Sequence, residues 1–251
     1  MPPPEADDPT MSVGERGLSC CQFRDLVRFT KRLCRTGLLR YEGHPRKPDG
    51  SRILWSEITM YEVCNNVVKP VIAHLSPGGG YSWSTLVNKG KAKRPRIFIS
   101  HSWQERFDDF VASFEHLQLD RGLTATDAVW ICTFANNQFE VVLGKMLDES
   151  PFYKALEHAM EVALFIDHNA SALSRSWCNF ELAVTTDTEW NRNRWAVRQE
   201  LAGEGGSCFD VDWKEVDKKL LKLSRVFERF YLYFAFRIHK RNISHTIFNQ
   251  N

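Results

Sequence analysis

Apolar residues follow two kinds of pattern along this chain, and the change between them falls near residue 96. Upstream the spacing is helical. From about Leu18 to Leu39, the residues Phe23, Leu26, Val27, Leu33 and Cys34 lie near one face, which predicts an amphipathic helix. A loop follows, marked by Gly43, Pro45, Pro48 and Gly50. Residues 53–75 hold a second apolar-periodic stretch, ILWSEITMYEVCNNVV, expected to stop at Pro70. The SPGGG run at 76–80 reads as a flexible break.

Downstream, short apolar runs alternate with helical patterns. RIFIS (96–100), AVWICTF (128–134) and VALFID (162–167) read as buried strands. Phe107, Phe110, Val111, Phe114 and Leu117 recur at helical spacing after the first. Ser150 and Pro151 open a helix that runs to about Met160, with Ser placed to cap and Pro at the first helical position. A further helix is expected from about Ser174 to Trp190, and Val216, Leu220, Leu223, Phe227 and Phe230 outline an amphipathic helix near the end. Fully apolar strands separated by amphipathic helices predict an α/β fold, a parallel sheet covered on both faces. The expected division is a disordered tail at 1–15, a helical N-terminal extension at 16–90 and a basic linker at 91–95. The α/β domain then spans 96–200, and a C-terminal helical extension spans 201–251.

Charge changes this picture only locally. Lys plus Arg is 33 and Asp plus Glu is 31, so the whole-chain balance says little about partners. Between Arg16 and Arg52, however, ten basic residues face three acidic ones. Two readings stand: an anionic partner such as a membrane surface or nucleic acid, or a solvated helix face with a basic loop. The seven cysteines include no CxxC pair and no Cys/His set with zinc spacing, so no metal site is expected. Cys132 and Cys178 lie in apolar segments, where a thiol behaves as a small hydrophobe. This usage points to a reducing, cytoplasmic setting. The opening MPPPEADDPT is too acidic for a secretory signal, and no apolar run reaches the roughly 18 residues of a membrane span, so no transmembrane segment is expected.

Candidate chemistry gathers where the strands end. The first strand runs into His101, Ser102, Trp103, Gln104, Glu105 and Arg106, the second into Asn136, Asn137 and Gln138, and the third into Asp167, His168 and Asn169. In a parallel sheet these clusters emerge at one edge, the carboxyl ends of the strands, where open α/β sheets bind ligands. No G-x-G-x-x-G and no Walker loop is present, so a dinucleotide cofactor held for hydride transfer is not expected. Within SRSWCNFEL (174–182), Trp177 and Cys178 fall four and three positions before Glu181, on neighbouring surface positions of a helix. A carboxylate beside a large aromatic and a thiol is partly desolvated, which raises its pKa.

FISHSW at 98–103 resembles the first signature box of TIR (Toll/interleukin-1 receptor) domains, and SRSWCNFEL resembles the S-x-W-C-x-x-E-L segment of plant-type and bacterial members. The resemblance covers about residues 96–190, and AVWICTFANNQ brings it closest to a TIR-like group of microbial eukaryotes. It implies a flavodoxin-like parallel sheet with helices on both faces. It also implies cleavage of the nicotinamide–ribose bond of NAD, with Glu181 as the catalytic residue and NAD as substrate rather than cofactor. Nicotinamide leaves as a neutral molecule, so a single carboxylate that stabilises an oxocarbenium-like transition state is sufficient. Ser102, Trp103 and Arg106 fall where the family places a loop beside the substrate; Arg106 is the candidate for the pyrophosphate and Trp103 for ring stacking. Asn136 and Asn137 are candidates for ribose hydroxyls or for turn formation, with Trp177 and Cys178 beside the carboxylate. His101 has two readings, a residue facing the pocket or, as is commoner for a lone histidine next to a strand, a packing residue. Two alternatives accompany this reading. One is a non-catalytic signalling module that forms homo-oligomers through TIR–TIR contacts. The other is a glycosidase or transferase acting on nucleosides or other nucleotides.

Overall fold

Short apolar runs separated by amphipathic stretches fold here as a mixed β-sheet with helices, an α/β arrangement. The computed structural model describes residues 11–75, 80–141, 143, 149–166, 171–175, 177–179 and 181, and a strand at 230–234. A 3-10 turn at Val13–Glu15 leads into β1 (Leu18–Ser19) and α1 (Cys20–Thr36). Helix α2 (Met60–Val63) passes through a π turn (Cys64–Val68) into α3 (Lys69–Leu75), and α4 (Trp83–Val87) follows. Then come β2 (Ile97–Ser100), α5 (Phe107–Asp120), β3 (Ala128–Ile131), α6 (Cys132–Ala135), α7 (Pro151–His158) and β4 (Glu161–Ile166). A further 3-10 turn (Ser171–Ser174) and β5 (Phe230–Phe234) follow.

The strand order is β1-β3-β2-β4-β5. Strand β2 pairs in parallel with β3 on one side and β4 on the other, and β4 pairs in parallel with β5. Alternate side chains enter opposite layers, as the pleat requires. Ile97, Ile99, Val129, Ile131, Ala163 and Phe165 join the larger core, which α1 and α5 cover. Phe98 and Trp130 point the other way and stack at 4.8 Å, beneath Ala155 and Leu156 of α7. Both faces of the central strands are therefore dry, which accounts for their unbroken apolar sequence.

Several expectations are corrected. The sheet is not wholly parallel: Leu18 and Ser19, expected in a helix, form a two-residue strand antiparallel to β3. Ser19 then caps α1 with Gln22 in a reciprocal box, so the helix starts at Cys20. Residues 11–15, expected within a disordered tail, are structured, and Trp130 Nε1 donates to Val13 O at 3.0 Å; residues 1–10 lie outside the described residues. Pro70 does not end its helix. The π turn before it loosens the hydrogen-bond ladder where proline lacks a donor, and helical structure continues to Leu75. The second strand ends at Ile131, not Phe134, since Cys132–Ala135 turn into a helix. Phe230, expected to finish an amphipathic helix, begins β5; its run FYLYF has the aromatic β-propensity of a strand. The rest of that predicted helix, the polar cluster at 167–169 and the glycines at 78 and 79 lie outside the described residues.

Residues 16–90 share the core of the strands. Phe23 of α1 meets Phe114 at 4.4 Å, Phe110 at 5.6 Å, Phe107 at 6.1 Å and Phe134 at 6.2 Å between ring centroids. Part of the basic excess serves the fold itself, since the Arg52 guanidinium donates to the Cys34 and Arg35 carbonyls at the end of α1. Arg24, Arg28, Lys31, Arg32 and Arg35 stay exposed on the same helix. Lys93, in the basic linker, lies along residues 15–17, accepting from Gly17 N at 2.9 Å and donating to Glu15 O at 2.7 Å. Among the described residues, no helix is long and apolar enough to cross a membrane.

The docking of the N-terminal turn on α7 depends on one small residue. A Cβ on Gly14 would stand 2.5 Å from both Lys154 O and His158 Cδ2. Gly14→Ala is expected to cost roughly 1–3 kcal/mol through this overlap, read as a shift in the urea midpoint. An unchanged midpoint would show that the turn is not held against α7.

Candidate active site

Two strands deliver the floor of a single cavity. β2 and β3 run in parallel, so His101 and Cys132, the residues immediately after them, emerge side by side at the carboxyl edge. A cavity of about 200 Å³ opens there. Ser100, His101 and Trp103 line it from the first strand, and Cys132, Asn136 and Gln138 from the second. The third wall is the helical segment carrying Trp177, Cys178 and Glu181, with Arg175 just before it. The order of strands changes direction at β2, since β3 lies to one side and β4 to the other, and ligand crevices form at such points.

Glu181 is the acidic side chain of this cavity. It is 4 % exposed, and burial pushes its carboxyl up to about 8. The Ser100 hydroxyl and the Arg175 guanidinium pull the other way without reversing the shift. Ser100 Oγ is buried and makes no hydrogen bond of standard geometry among the described residues. Next to it Cys178 Sγ donates to His101 O at 3.4 Å, which ties the helical segment to the loop after β2. Burial, and then the nearby Glu181 carboxyl, raise the Cys178 thiol, which is therefore an inert wall residue. Trp177 stacks on Phe152 at 4.7 Å and 21°, giving the cavity a flat aromatic side.

The structure thus gathers Glu181, Trp103, Asn136, Trp177 and Cys178 around one space, and it leaves three candidates outside the cavity lining. Ser102 is buried with its Oγ accepting from Gln104 N at 3.2 Å, which shapes the turn. Arg106 caps α5 and is engaged by Asp108, with Nε to Oδ1 at 3.0 Å. Asn137 Oδ1 accepts from Phe139 N at 3.0 Å, the turn-forming option. Asn136 differs from its neighbour: its Oδ1 is buried with no hydrogen-bond partner among the described residues. A buried carbonyl oxygen in that state costs about 1–3 kcal/mol, which a ligand donor would recover.

The sequence reading missed a second group in the same cavity. His101 packs edge-on against Phe110, and both of its ring nitrogens are also engaged. Nδ1 lies 2.9 Å from Glu105 Oε1 and Nε2 lies 3.5 Å from Cys132 Sγ. The His101 and Glu105 side chains are 0 % and 1 % exposed. Cys132 is half-buried rather than sealed in the core, and Trp103 Nε1 donates to its sulfur at 3.2 Å. The signal available in sequence was positional and partial: His101 directly follows the predicted strand 96–100, whereas Cys132 fell inside the predicted strand 128–134 and follows only the shorter observed one. Their pairing needs the strand neighbours, which no linear pattern supplies.

Among the described residues, no group of three or more His, Cys, Asp or Glu side chains is placed to hold a metal ion. No family model matches the chain, and comparison with curated proteins and with solved structures likewise finds no match.

Proposed function

We propose that this chain is a TIR-like domain that hydrolyses the nicotinamide–ribose bond of NAD or a related nucleotide, with Glu181 as the reacting carboxylate. The observation that carries the reading is the meeting of the WCNFEL acid with the loop after the first strand in one aromatic-walled cavity. The order β3-β2-β4-β5 of the parallel strands fits the flavodoxin-like sheet that the resemblance implies. The roughly 200 Å³ of space suits a base and ribose more than a whole dinucleotide, so the remainder of NAD would extend beyond it. Trp177 offers a stacking face, and Asn136 Oδ1 would accept from a ribose hydroxyl or the carboxamide. As the glycosidic bond breaks, its electron pair leaves with neutral nicotinamide and positive charge develops at C1′. Ionised Glu181 opposes that charge, and water then adds its oxygen to C1′ and releases a proton. The cationic pyridinium itself favours ionisation of a carboxyl that is otherwise held up to about 8. The reading extends to a cytoplasmic signalling role with self-association, and to an anionic surface as partner for the exposed cations of α1.

The raised carboxyl favours one second reading. Neutral nucleosides need their leaving base protonated, and an acid that holds its proton to about pH 8 suits that chemistry. The test is release of free base from NAD, nicotinamide mononucleotide and unmodified nucleosides across pH. The proposal expects turnover of the pyridinium substrates with kcat/KM rising with pH through a midpoint near 8 to a plateau above it. Turnover of nucleosides alone, falling above that pH, favours the second reading. No free base from any of them, at concentrations where self-association is complete, leaves a non-catalytic module.

A further inference from the structure

We infer that Cys132, His101 and Glu105 form a second reactive centre in the cavity, a thiol nucleophile that accepts acyl groups from ester or thioester substrates. The geometry is that of nucleophile, base and orienting acid. Both neighbours of His101 Nδ1 are acceptors, the Ser102 carbonyl at 3.3 Å and Glu105 Oε1 at 2.9 Å. The proton of the neutral ring therefore sits on Nδ1, and the Nε2 lone pair faces Cys132 Sγ at 3.5 Å. Indole N–H is a donor only, so Trp103 points a positive hydrogen at the same sulfur from 3.2 Å. That contact stabilises negative charge on sulfur as the proton leaves. A buried cysteine with a purely packing role needs neither contact.

The cavity supplies an independent sign of a ligand. Asn136, 4 % exposed, is one of its lining residues, and its buried Oδ1 has no partner among the described residues. Since that oxygen makes no hydrogen bond, turning the amide to present its N–H groups loses none, and an oxyanion could be met there. Val141, Leu143 and Phe152 give the cavity apolar wall for an acyl chain.

The chemistry balances without a further reactant besides water. Cys132 Sγ attacks the carbonyl carbon while its proton passes to His101 Nε2. The tetrahedral intermediate collapses, the bond to the alcohol or thiol breaks, and the leaving group takes the proton from Nε2. Water then attacks the thioester, His101 accepts its proton, and the Cys132 thiolate leaves and recovers it. The net reaction is ester plus water to acid plus alcohol. Glu105 acts through His101 and is a positioning residue.

The inference does not depend on Glu181 or on NAD, and its test uses neither. In the full-length protein at neutral pH, limiting iodoacetamide is followed by peptide mapping, with the exposed Cys21 as internal standard. Cys132 is expected to react about ten-fold faster or more than Cys21, despite its lower exposure. With p-nitrophenyl acetate, a burst of nitrophenolate should accompany an acetyl group mapped to the Cys132 peptide. Cys132→Ser should abolish the acetylated peptide, and His101→Asn should slow acylation about 100-fold. Glu105→Gln should lower kcat while leaving KM in place. Cys132 reacting no faster than Cys21 would overturn the proposal, and that comparison needs no variant to fold. Acetyl found only on other residues would overturn it equally.

Discussion

As the pH rises from about 5 to 8, the protein is expected to lose several kcal/mol of folding stability, and Glu181→Gln is expected to remove most of that loss. Glu181 ionises near 4.5 when unfolded and near 8 when folded. Between those values the native state holds a proton that the unfolded state has released. Stability therefore falls with rising pH across this window. Below 4.5 both states are protonated and the effect vanishes; above 8 both are ionised and the full cost is present. The difference corresponds to roughly 5 kcal/mol at most, because water entry or movement of Arg175 would relieve part of it. Urea midpoints of wild type and Glu181→Gln at pH 5 and 8 isolate the contribution. The two proteins should diverge at pH 8 and converge at pH 5. Parallel behaviour would mean that the carboxyl is not desolvated.

Phe23→Ala is expected to destabilise the fold by about 3–5 kcal/mol, the range for removing a buried ring whose space cannot collapse. Phe23 is 1 % exposed and touches four phenylalanines drawn from α5 and α6. Those helices flank the strands that hold the cavity, so the loss should also blunt any activity. Denaturant unfolding measures it. A cost below about 1 kcal/mol would show that α1 is an appended helix rather than a layer of the core.

What the sequence revealed follows from which interactions are local. Strands β2, β3 and β4 were visible because residues buried on both faces leave no polar alternation. Helices α5 and α7 were visible through spacing and the Ser150 cap. The two-residue β1 was not, since its status comes from hydrogen bonds to β3, more than a hundred residues away. Pro70 misled because a proline rule assumes a regular α-helix, and the π turn breaks that assumption. At the site, Glu181, Trp177 and Cys178 share one helical segment, so their proximity was already local. Arg106 was misplaced because Asp108, two residues on, holds it more closely than any distant group. The contact of His101 with Cys132 joins the ends of two strands, so it depends on which strands are neighbours and not on any local spacing.

Release of nicotinamide from NAD by purified wild-type protein, set beside Glu181→Gln of matched fold, tests the functional account most directly. Wild type should turn over, and the variant should lose about a thousand-fold in kcat, the scale of removing one charge-stabilising group from a desolvated site. Equal release by both proteins would contradict it.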